Sequence, residues 1–148
     1  MEKILILDFG GQYNQLIARR VRSEHVYAEI KPYNRISVDE IKKEGYKGII
    51  FTGGPHSVYD PASPHYDPSI LNAGIPILGI CYGDQLIAFM ENGIVSSADN
   101  SSEYGKTTVN LSDNALFRNV PETNICWMSH SDFIRSVCKD HAENVKVN

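Results

Sequence analysis

The chain has 148 residues, 42% of them hydrophobic, which is enough apolar material for one sizeable core, so we expect a single domain over residues 1–148. Fourteen basic and 18 acidic residues give a net charge of −4, and the basic residues are scattered apart from Arg19, Arg20 and Arg22, which argues against a nucleic-acid partner. Three cysteines without Cys-x-x-Cys spacing argue against a disulfide framework or a metal site, and no apolar run suits a signal peptide or a membrane span, which predicts a cytoplasmic protein without a membrane partner.

Strand and helix patterns alternate through the first part of the chain. The apolar run at 4–7 predicts a buried strand, and the helical spacing across 12–23 predicts the helix that follows. Further elements are predicted in chain order as a strand at 26–31, a helix at 38–43, strands at 48–52 and 77–80, a helix at 85–90, and strands at 107–111 and 125–128. The alternation predicts an α/β fold with a doubly wound, mostly parallel sheet and helices on both faces.

Three unusual loops follow the predicted strands. Residues 8–11 follow the first strand, 52–55 follow the third, and Cys81 follows the fourth. Ligand chemistry gathers at the carboxyl ends of the strands in such sheets. We therefore expect these loops to meet at one rim.

The segment PILGICYGDQ at 76–85 carries the most specific chemical signal. A short apolar run breaks at Gly79-x-Cys81-x-Gly83 and continues as a helix, which is the pattern of a nucleophile elbow with sulfur in place of oxygen. The glycines leave room for a sharp turn, and the free N–H groups and dipole at the helix N-terminus favour a thiolate. The alternative to a nucleophile is that Cys81 is a small buried residue that only packs at the end of a strand.

A catalytic cysteine also needs an oxyanion site and a base. A backbone N–H in the Gly53-Gly54-Pro55 turn and the N–H of Tyr82 can supply the oxyanion site, although the glycines also fit a tight turn. Neither Gly10-Gly11 nor Gly53-Gly54 belongs to a known phosphate-binding pattern, which disfavours a nucleotide site. His65, His130 and His141 each precede an acidic residue by two positions, so spacing alone does not identify a base.

Five ordered segments carry a resemblance to a known family. They are the runs ILDFGGQYNQLIARRVR, GIIFTGGPHSVYD, PILGICYGDQLIA, EYGKT and WMSH. The chain resembles the glutamine amidotransferase domains of the GMP synthase family, within the class I amidotransferases. The CYG elbow and the DFGGQY segment are similar to this branch rather than to relatives with a CLG elbow. The resemblance implies a flavodoxin-like sheet and hydrolysis of glutamine to glutamate and ammonia.

The resemblance also implies roles for individual residues. Cys81 would form a thioester with glutamine, and the amides of Gly54 and Tyr82 would hold the oxyanion. The residues that bind glutamine would be Gly53, Gln85, Ser129, Ser131 and Asp132. No cofactor is implied for this domain. The implied partner is the ATP-pyrophosphatase domain or subunit of GMP synthase, which uses ATP and magnesium to convert XMP into GMP in purine biosynthesis.

Two departures from the family pattern lie near the predicted elbow. Asp84 stands where the family usually has methionine, and residues 91–93 replace a usual Leu-Gly-Gly. An acid in the first turn suits the helix dipole. Its negative charge also opposes ionisation of a neighbouring thiol, so we expect Asp84 to raise the pKa of Cys81.

A larger departure concerns the catalytic base. The family's histidine and its orienting acid lie in a His-Pro-Glu motif, which does not occur in these 148 residues. His141 and Glu143 resemble a segment that precedes that motif, so neither is given the role. We therefore expect a domain that is incomplete at its C-terminus, lacks late strands, exposes a sheet edge and is marginally stable. The alternative is a non-catalytic amidotransferase-like module that binds or regulates a synthetase.

Overall fold

The structure is a computed structural model that describes residues 1–97, 103–130 and 132–137. In chain order the elements are β1 (Lys3–Asp8), α1 (Asn14–Ser23), β2 (Tyr27–Pro32), α2 (Val38–Glu44), β3 (Gly48–Phe51), β4 (Ile77–Gly79), α3 (Tyr82–Met90), β5 (Ile94–Ser97), β6 (Glu103–Asn110), β7 (Thr123–His130) and β8 (Asp132–Ser136). Short 3-10 helices lie at Tyr33–Arg35 and Pro68–Asn72.

Four parallel strands form the central sheet, in the order β2-β1-β3-β4. The apolar run of β1 explains its central place, because Leu5, Ile6 and Leu7 are fully buried and a strand covered on both faces needs apolar residues on both. This strand order begins the flavodoxin-like arrangement. The predicted α/β class and parallel sheet are confirmed.

Helices cover both faces of the sheet. On one face α1 packs through Ile17, Ala18 and Val21 against Ile6 and Ala28. On the other face α2 and α3 share one cluster with the alternate residues of β1 and β3. That cluster includes Leu5, Leu7, Val38, Ile41, Ile49, Phe51, Leu86 and Ala88. The switch of face along β1 follows from the two-residue repeat of a strand.

The start of α2 has a capping box. The Ser37 hydroxyl accepts a hydrogen bond from the Glu40 N–H at 3.3 Å, and the Glu40 carboxylate accepts from the Ser37 N–H at 2.8 Å. These bonds satisfy two amides that the helix leaves free. The bond from the Ser37 backbone also lowers the pKa of Glu40.

Two antiparallel pairs follow the central sheet. β5 pairs with β8, and this pair packs on α3. β6 pairs with β7 over eight residues on each strand, and we call this pair the ribbon. The strands predicted at 107–111 and 125–128 belong to the ribbon. β5 and β8 have no counterpart among the predicted strands, because each is short and the two pair across a long stretch of chain.

Candidate active site

The loops after β1, β3 and β4 meet at the carboxyl end of the sheet, as their positions predict. A Cβ atom on Gly11 would lie 2.6 Å from the Gly53 carbonyl oxygen, and one on Gly54 would lie 2.6 Å from the Phe9 carbonyl oxygen. A Cβ on Gly53 would lie 3.4 Å from the Cβ of Cys81. Only glycine leaves space for backbones that cross this closely.

Cys81 lies in the turn between β4 and α3. Its backbone has φ 52° and ψ −115°, a conformation that costs a non-glycine residue about 1–3 kcal/mol. Gly83 permits the turn, because a Cβ there would lie 2.3 Å from the Phe51 carbonyl oxygen. The Cys81 carbonyl accepts hydrogen bonds from the amides of Asp84 and Gln85, both at 3.1 Å. The backbone therefore has the form of a nucleophile elbow.

The charge state of Cys81 is set by two effects that act in the same direction. The residue reaches solvent, yet partial burial of its thiol raises the pKa above the ordinary value, and the Asp84 carboxylate raises it further. The predicted effect of Asp84 is confirmed. Burial of the thiol, which cannot be read from the sequence, opposes the effect of the helix N-terminus, which favours a thiolate.

The side chain of Tyr82, the first residue of α3, is buried and makes both a ring contact and a hydrogen bond. Its side chain is 1% exposed, its ring lies 5.9 Å from that of Phe9, and its hydroxyl donates to the Pro64 carbonyl. Burial raises the pKa of Tyr82 to about 12. Because the first amides of a helix have no partner within it, these contacts fix a free backbone N–H directly after Cys81.

Gln85 and Asp132, two of the residues predicted to bind glutamine, contact each other. The Gln85 Nε2 donates to the Asp132 carbonyl oxygen at 3.0 Å, and both residues are at least nine-tenths buried. Ser129 lies near the end of β7, where it pairs with Tyr104 and is exposed. Ser131 lies outside the described residues, as do His141 and Glu143.

Two polar contacts that the sequence pattern did not identify support the rim. The Phe9 N–H donates to the Thr52 hydroxyl at 3.0 Å, which ties the β1 loop to the end of β3. The Gly10 N–H donates to the Asp8 carboxylate at 2.7 Å, and Gly10 has φ 95°. An aspartate two residues before a glycine is a turn signal, so the second contact could have been predicted. The first joins distant residues and has no local signal.

Asn14 is a further residue that the sequence pattern did not identify. It begins α1, is 8% exposed, and its Oδ1 has no hydrogen-bond partner among the described residues. That oxygen lies 3.2 Å from the point that a Cβ atom on Gly11 would occupy. A buried acceptor without a donor costs about 1–3 kcal/mol.

Two kinds of feature are absent from the described part of the chain. Within it, no cluster of three or more histidine, cysteine, aspartate or glutamate side chains is arranged to hold a metal ion. No helix in residues 1–97, 103–130 or 132–137 has the length and apolar character needed to cross a membrane.

Comparisons with known proteins agree with this geometry. The sequence model of glutamine amidotransferase class-I matches residues 5–148. The chain is 58% identical over 132 residues to a GMP synthase (glutamine-hydrolyzing) of Clostridium botulinum strain Alaska E43, a match that covers 88% of this chain and 25% of that protein. The corresponding protein of strain Hall is 54% identical over 139 residues, covering 93% and 27%. The chain thus spans about a quarter of the length of the curated relatives it matches.

Solved structures extend the comparison. A Thermoplasma acidophilum protein described as a GMP synthase subunit superposes with a TM-score of 0.77 at 30% identity, covering 95% of this chain and 70% of that chain. A glutamine amidotransferase from Thermotoga maritima superposes with a TM-score of 0.67 at 22% identity, covering 90% and 62%, and supports the fold alone. The family match covers nearly the whole chain, and the elbow at Cys81 lies within it. The chain therefore belongs to the class I glutamine amidotransferase family.

Proposed function

We propose that this chain performs the glutamine-hydrolysing half of a GMP synthase reaction. The observation that carries the proposal is the strained Cys81 elbow in contact with the Gly53–Gly54 loop. A residue that only packs has no need of so costly a backbone conformation. The identity of 58% to a protein named GMP synthase (glutamine-hydrolyzing) supports the choice of this branch of the family.

In the proposed reaction, the Cys81 sulfur attacks the side-chain amide carbon of glutamine. The carbonyl oxygen becomes an oxyanion, which the amides of Gly54 and Tyr82 stabilise. The carbon–nitrogen bond then breaks, and the nitrogen leaves as ammonia with the proton that the Cys81 thiol gave up, so that a thioester remains on Cys81. Water cleaves the thioester, which releases glutamate and restores the thiol.

Glutamine would be held by the residues on either side of the elbow. Gln85 lies one helical turn after Cys81, and its contact with the Asp132 carbonyl brings the end of the ribbon and β8 to the same place. Gly53, Ser129 and Ser131 complete the proposed glutamine-binding set. Within this set, main-chain groups of the loops would bind the amino-acid end of glutamine, since they can both donate and accept hydrogen bonds.

The ammonia would pass to a synthetase part, either on the same polypeptide or on a separate subunit. That ATP-pyrophosphatase part would hold ATP and magnesium and convert XMP into GMP, whereas this domain would need no cofactor. We also propose a cytoplasmic location, because a catalytic thiol must stay reduced.

A non-catalytic module is the second candidate function. The raised pKa of Cys81 favours it, since a thiol that resists ionisation is a weaker nucleophile at neutral pH. Such a module would bind glutamine or a synthetase without forming a thioester.

The test is intact-mass spectrometry of the chain after exposure to an electrophilic glutamine analogue. We expect a single adduct that is lost in Cys81→Ser and suppressed by excess glutamine. Cys126→Ser is the matched control, because Cys126 is also an exposed thiol but lies on the ribbon. This variant should retain the adduct in full.

Each other result has a clear meaning. An adduct that persists in Cys81→Ser, or that glutamine does not suppress, contradicts a glutamine site at the elbow. Suppression by glutamine without release of glutamate, measured on the untreated chain, would favour the binding module over the enzyme.

A further inference from the structure

Thr52 is a buried polar residue at the carboxyl end of the central sheet, and the reaction proposed above gives it no role. It follows β3 directly, it is fully buried, and its backbone N–H donates to the Leu7 carbonyl at 3.2 Å. The residue therefore extends the contact between β3 and β1 one step past the strand. Its hydroxyl needs partners, because an unpaired polar group at a buried position costs about 1–3 kcal/mol.

The Thr52 hydroxyl makes one hydrogen bond as an acceptor and one as a donor. Its oxygen accepts from the Phe9 N–H at 3.0 Å, and it donates to the Gly53 carbonyl oxygen at 3.2 Å. A hydroxyl carries a single proton, and the bond from Phe9 leaves that proton for the Gly53 carbonyl. The hydroxyl thus links the loop after β1 to the peptide group between Gly53 and Gly54.

The peptide group between Gly53 and Gly54 contains the amide that we propose for the oxyanion site. The peptide bonds of the described residues are trans, and the carbonyl and N–H of a trans peptide lie in one plane and point in opposite directions. The direction of the Gly53 carbonyl therefore fixes the direction of the Gly54 N–H. A half-turn of this peptide would replace the N–H by a carbonyl oxygen, which repels an oxyanion.

The same peptide has little restraint of its own. Both flanking residues are glycines because of close packing: a Cβ on Gly53 would lie 3.4 Å from the Cys81 Cβ, and one on Gly54 would lie 2.6 Å from the Phe9 carbonyl oxygen. Without Cβ atoms, glycines allow a much wider range of backbone angles than other residues. A peptide between two glycines needs a contact from outside to keep one orientation, and the Thr52 hydroxyl provides one.

Thr52 is itself well placed to hold that orientation. Its branched Cβ restricts the rotation of the side chain, and its backbone is bonded to β1. The Phe9 amide, which binds the hydroxyl oxygen, belongs to a fully buried residue whose ring lies 5.1 Å from that of Phe51 and 5.9 Å from that of Tyr82. Both ends of the link from Phe9 to Gly53 are therefore anchored in the core.

We propose that Thr52 is a positioning residue of the oxyanion site, whose hydroxyl holds the Gly53 carbonyl so that the Gly54 N–H points at the oxygen that becomes negative when Cys81 attacks. This inference rests on the proposed function. Thr52 acts through the peptide and not by contact with glutamine. Its loss should therefore weaken binding of the tetrahedral state much more than binding of glutamine itself.

The test compares two ligands of the chain, glutamine and its aldehyde analogue, glutamate γ-semialdehyde. When the Cys81 thiol adds to the aldehyde, a sulfur–carbon bond forms, the carbonyl becomes a single bond and its oxygen takes up the thiol proton, with no leaving group. The adduct is tetrahedral, and its oxygen takes the place of the oxyanion. Protection of Cys81 from iodoacetamide, measured by peptide mass spectrometry, gives the affinity for each ligand. Cys126, an exposed thiol on the ribbon, reports any general change in alkylation.

Two variants remove the hydroxyl. Thr52→Val replaces it with a methyl group of similar shape, and Thr52→Ala serves in its place if the valine variant does not fold. Either should bind the aldehyde at least about tenfold more weakly, whereas the affinity for glutamine and the alkylation rate of free Cys81 should change by less than about twofold. Thr52→Ser keeps the hydroxyl and should restore the affinity for the aldehyde.

Tyr66→Phe is the matched control. It also removes a hydroxyl that donates to a main-chain carbonyl, that of Ile36 at 2.7 Å, but in the loop before α2. This variant should lose stability and keep the parent affinity for the aldehyde. Circular dichroism would show which variants are folded.

Three results would overturn the inference. They are an unchanged aldehyde affinity in a folded variant without the hydroxyl, a Thr52→Ser variant as weak as Thr52→Val, and equal losses of affinity for aldehyde and glutamine. A parent chain in which neither ligand protects Cys81 would count against the proposed function. Protection of the parent chain by both ligands, with the same two affinities in Thr52→Val, counts only against the role of Thr52.

Discussion

At the scale of single residues, Cys81 combines a strained backbone with a thiol that resists ionisation. The strain is a property of the turn, in which Cys81 has φ 52°. The resistance comes first from burial and second from Asp84, both of which raise the pKa of the thiol. For the proposed reaction, Cys81 would need a neighbouring group to take its proton.

Replacement of Asp84 by asparagine tests this description. Removal of the carboxylate charge should lower the pKa of Cys81, so the thiolate fraction at neutral pH rises and labelling by the glutamine analogue becomes severalfold faster. The measurement is the labelling rate as a function of pH, whose midpoint should move to lower pH. Asp39→Asn on α2 is the control. An unchanged midpoint in Asp84→Asn would show that the carboxylate does not influence the thiol.

Tyr82 provides a second prediction at this scale. Tyr82→Phe removes the hydroxyl that donates to the buried Pro64 carbonyl. A buried acceptor that loses its donor costs stability, and we expect the free energy of unfolding to fall by about 1–2 kcal/mol in urea denaturation. Labelling of Cys81 should also slow, since Tyr82 positions the adjacent amide. Equal stability of the variant and the parent chain would mean that water replaces the hydroxyl.

At the scale of elements, the junction between β4 and α3 depends on the close approach of α3 to β3. Gly83 belongs to the first turn of α3 and lies against the Phe51 backbone. A methyl group there would press on main-chain atoms, which cannot rotate away as a side chain can. The same contact directs Cys81 toward the rim of the sheet.

Gly83→Ala should therefore be strongly destabilising, by about 1–3 kcal/mol or more, and should reduce labelling of Cys81. Gly48→Ala is the matched control, because the nearest atom to its Cβ would be the terminal methyl of Ile4 at 3.0 Å, and the Pro76 carbonyl oxygen would lie at an ordinary contact distance of 3.8 Å. Thermal denaturation followed by circular dichroism would compare the two. A Gly83→Ala variant as stable as Gly48→Ala would contradict the close approach of α3.

At the scale of the whole molecule, an apolar surface lies beside the central sheet. A groove of about 920 Å³ is lined by residues of β1, β3, β4, α1 and α3 and by the loop between β6 and β7. Its apolar lining includes Ile4, Val21, Ile50, Leu78, Leu116 and Phe117.

The exposed apolar groove should cause chains to associate at a pH where their net charge is too small to keep them apart. The isoelectric point is about 5.7, and at that pH the net charge and the mutual repulsion vanish. Static light scattering across pH should therefore show maximal association near that value. Leu78→Gln should reduce the scattering, because Leu78 is 36% exposed in the groove. Scattering that does not depend on pH, or that Leu78→Gln leaves unchanged, would show that other surfaces drive association.

The local pattern of residues was sufficient for the central sheet, its helices and the position of the elbow. Apolar runs such as Leu5–Leu7 and the Gly79-x-Cys81-x-Gly83 turn act over a few residues, so periodicity and glycine spacing reveal them. The resemblance to class I amidotransferases rests on the same local runs.

Other features arise only when distant segments fold together. Gln85 meets the Asp132 carbonyl across 47 positions, β5 pairs with β8, and the orphan oxygen of Asn14 is buried beside the loop after β1. The direction of the Cys81 pKa shift depends on how much protein surrounds the thiol. The 81% exposure of Trp127 depends on how the ribbon packs against the rest of the chain. Burial and long-range hydrogen bonds are properties of the packed chain, and no local pattern of residues encodes them.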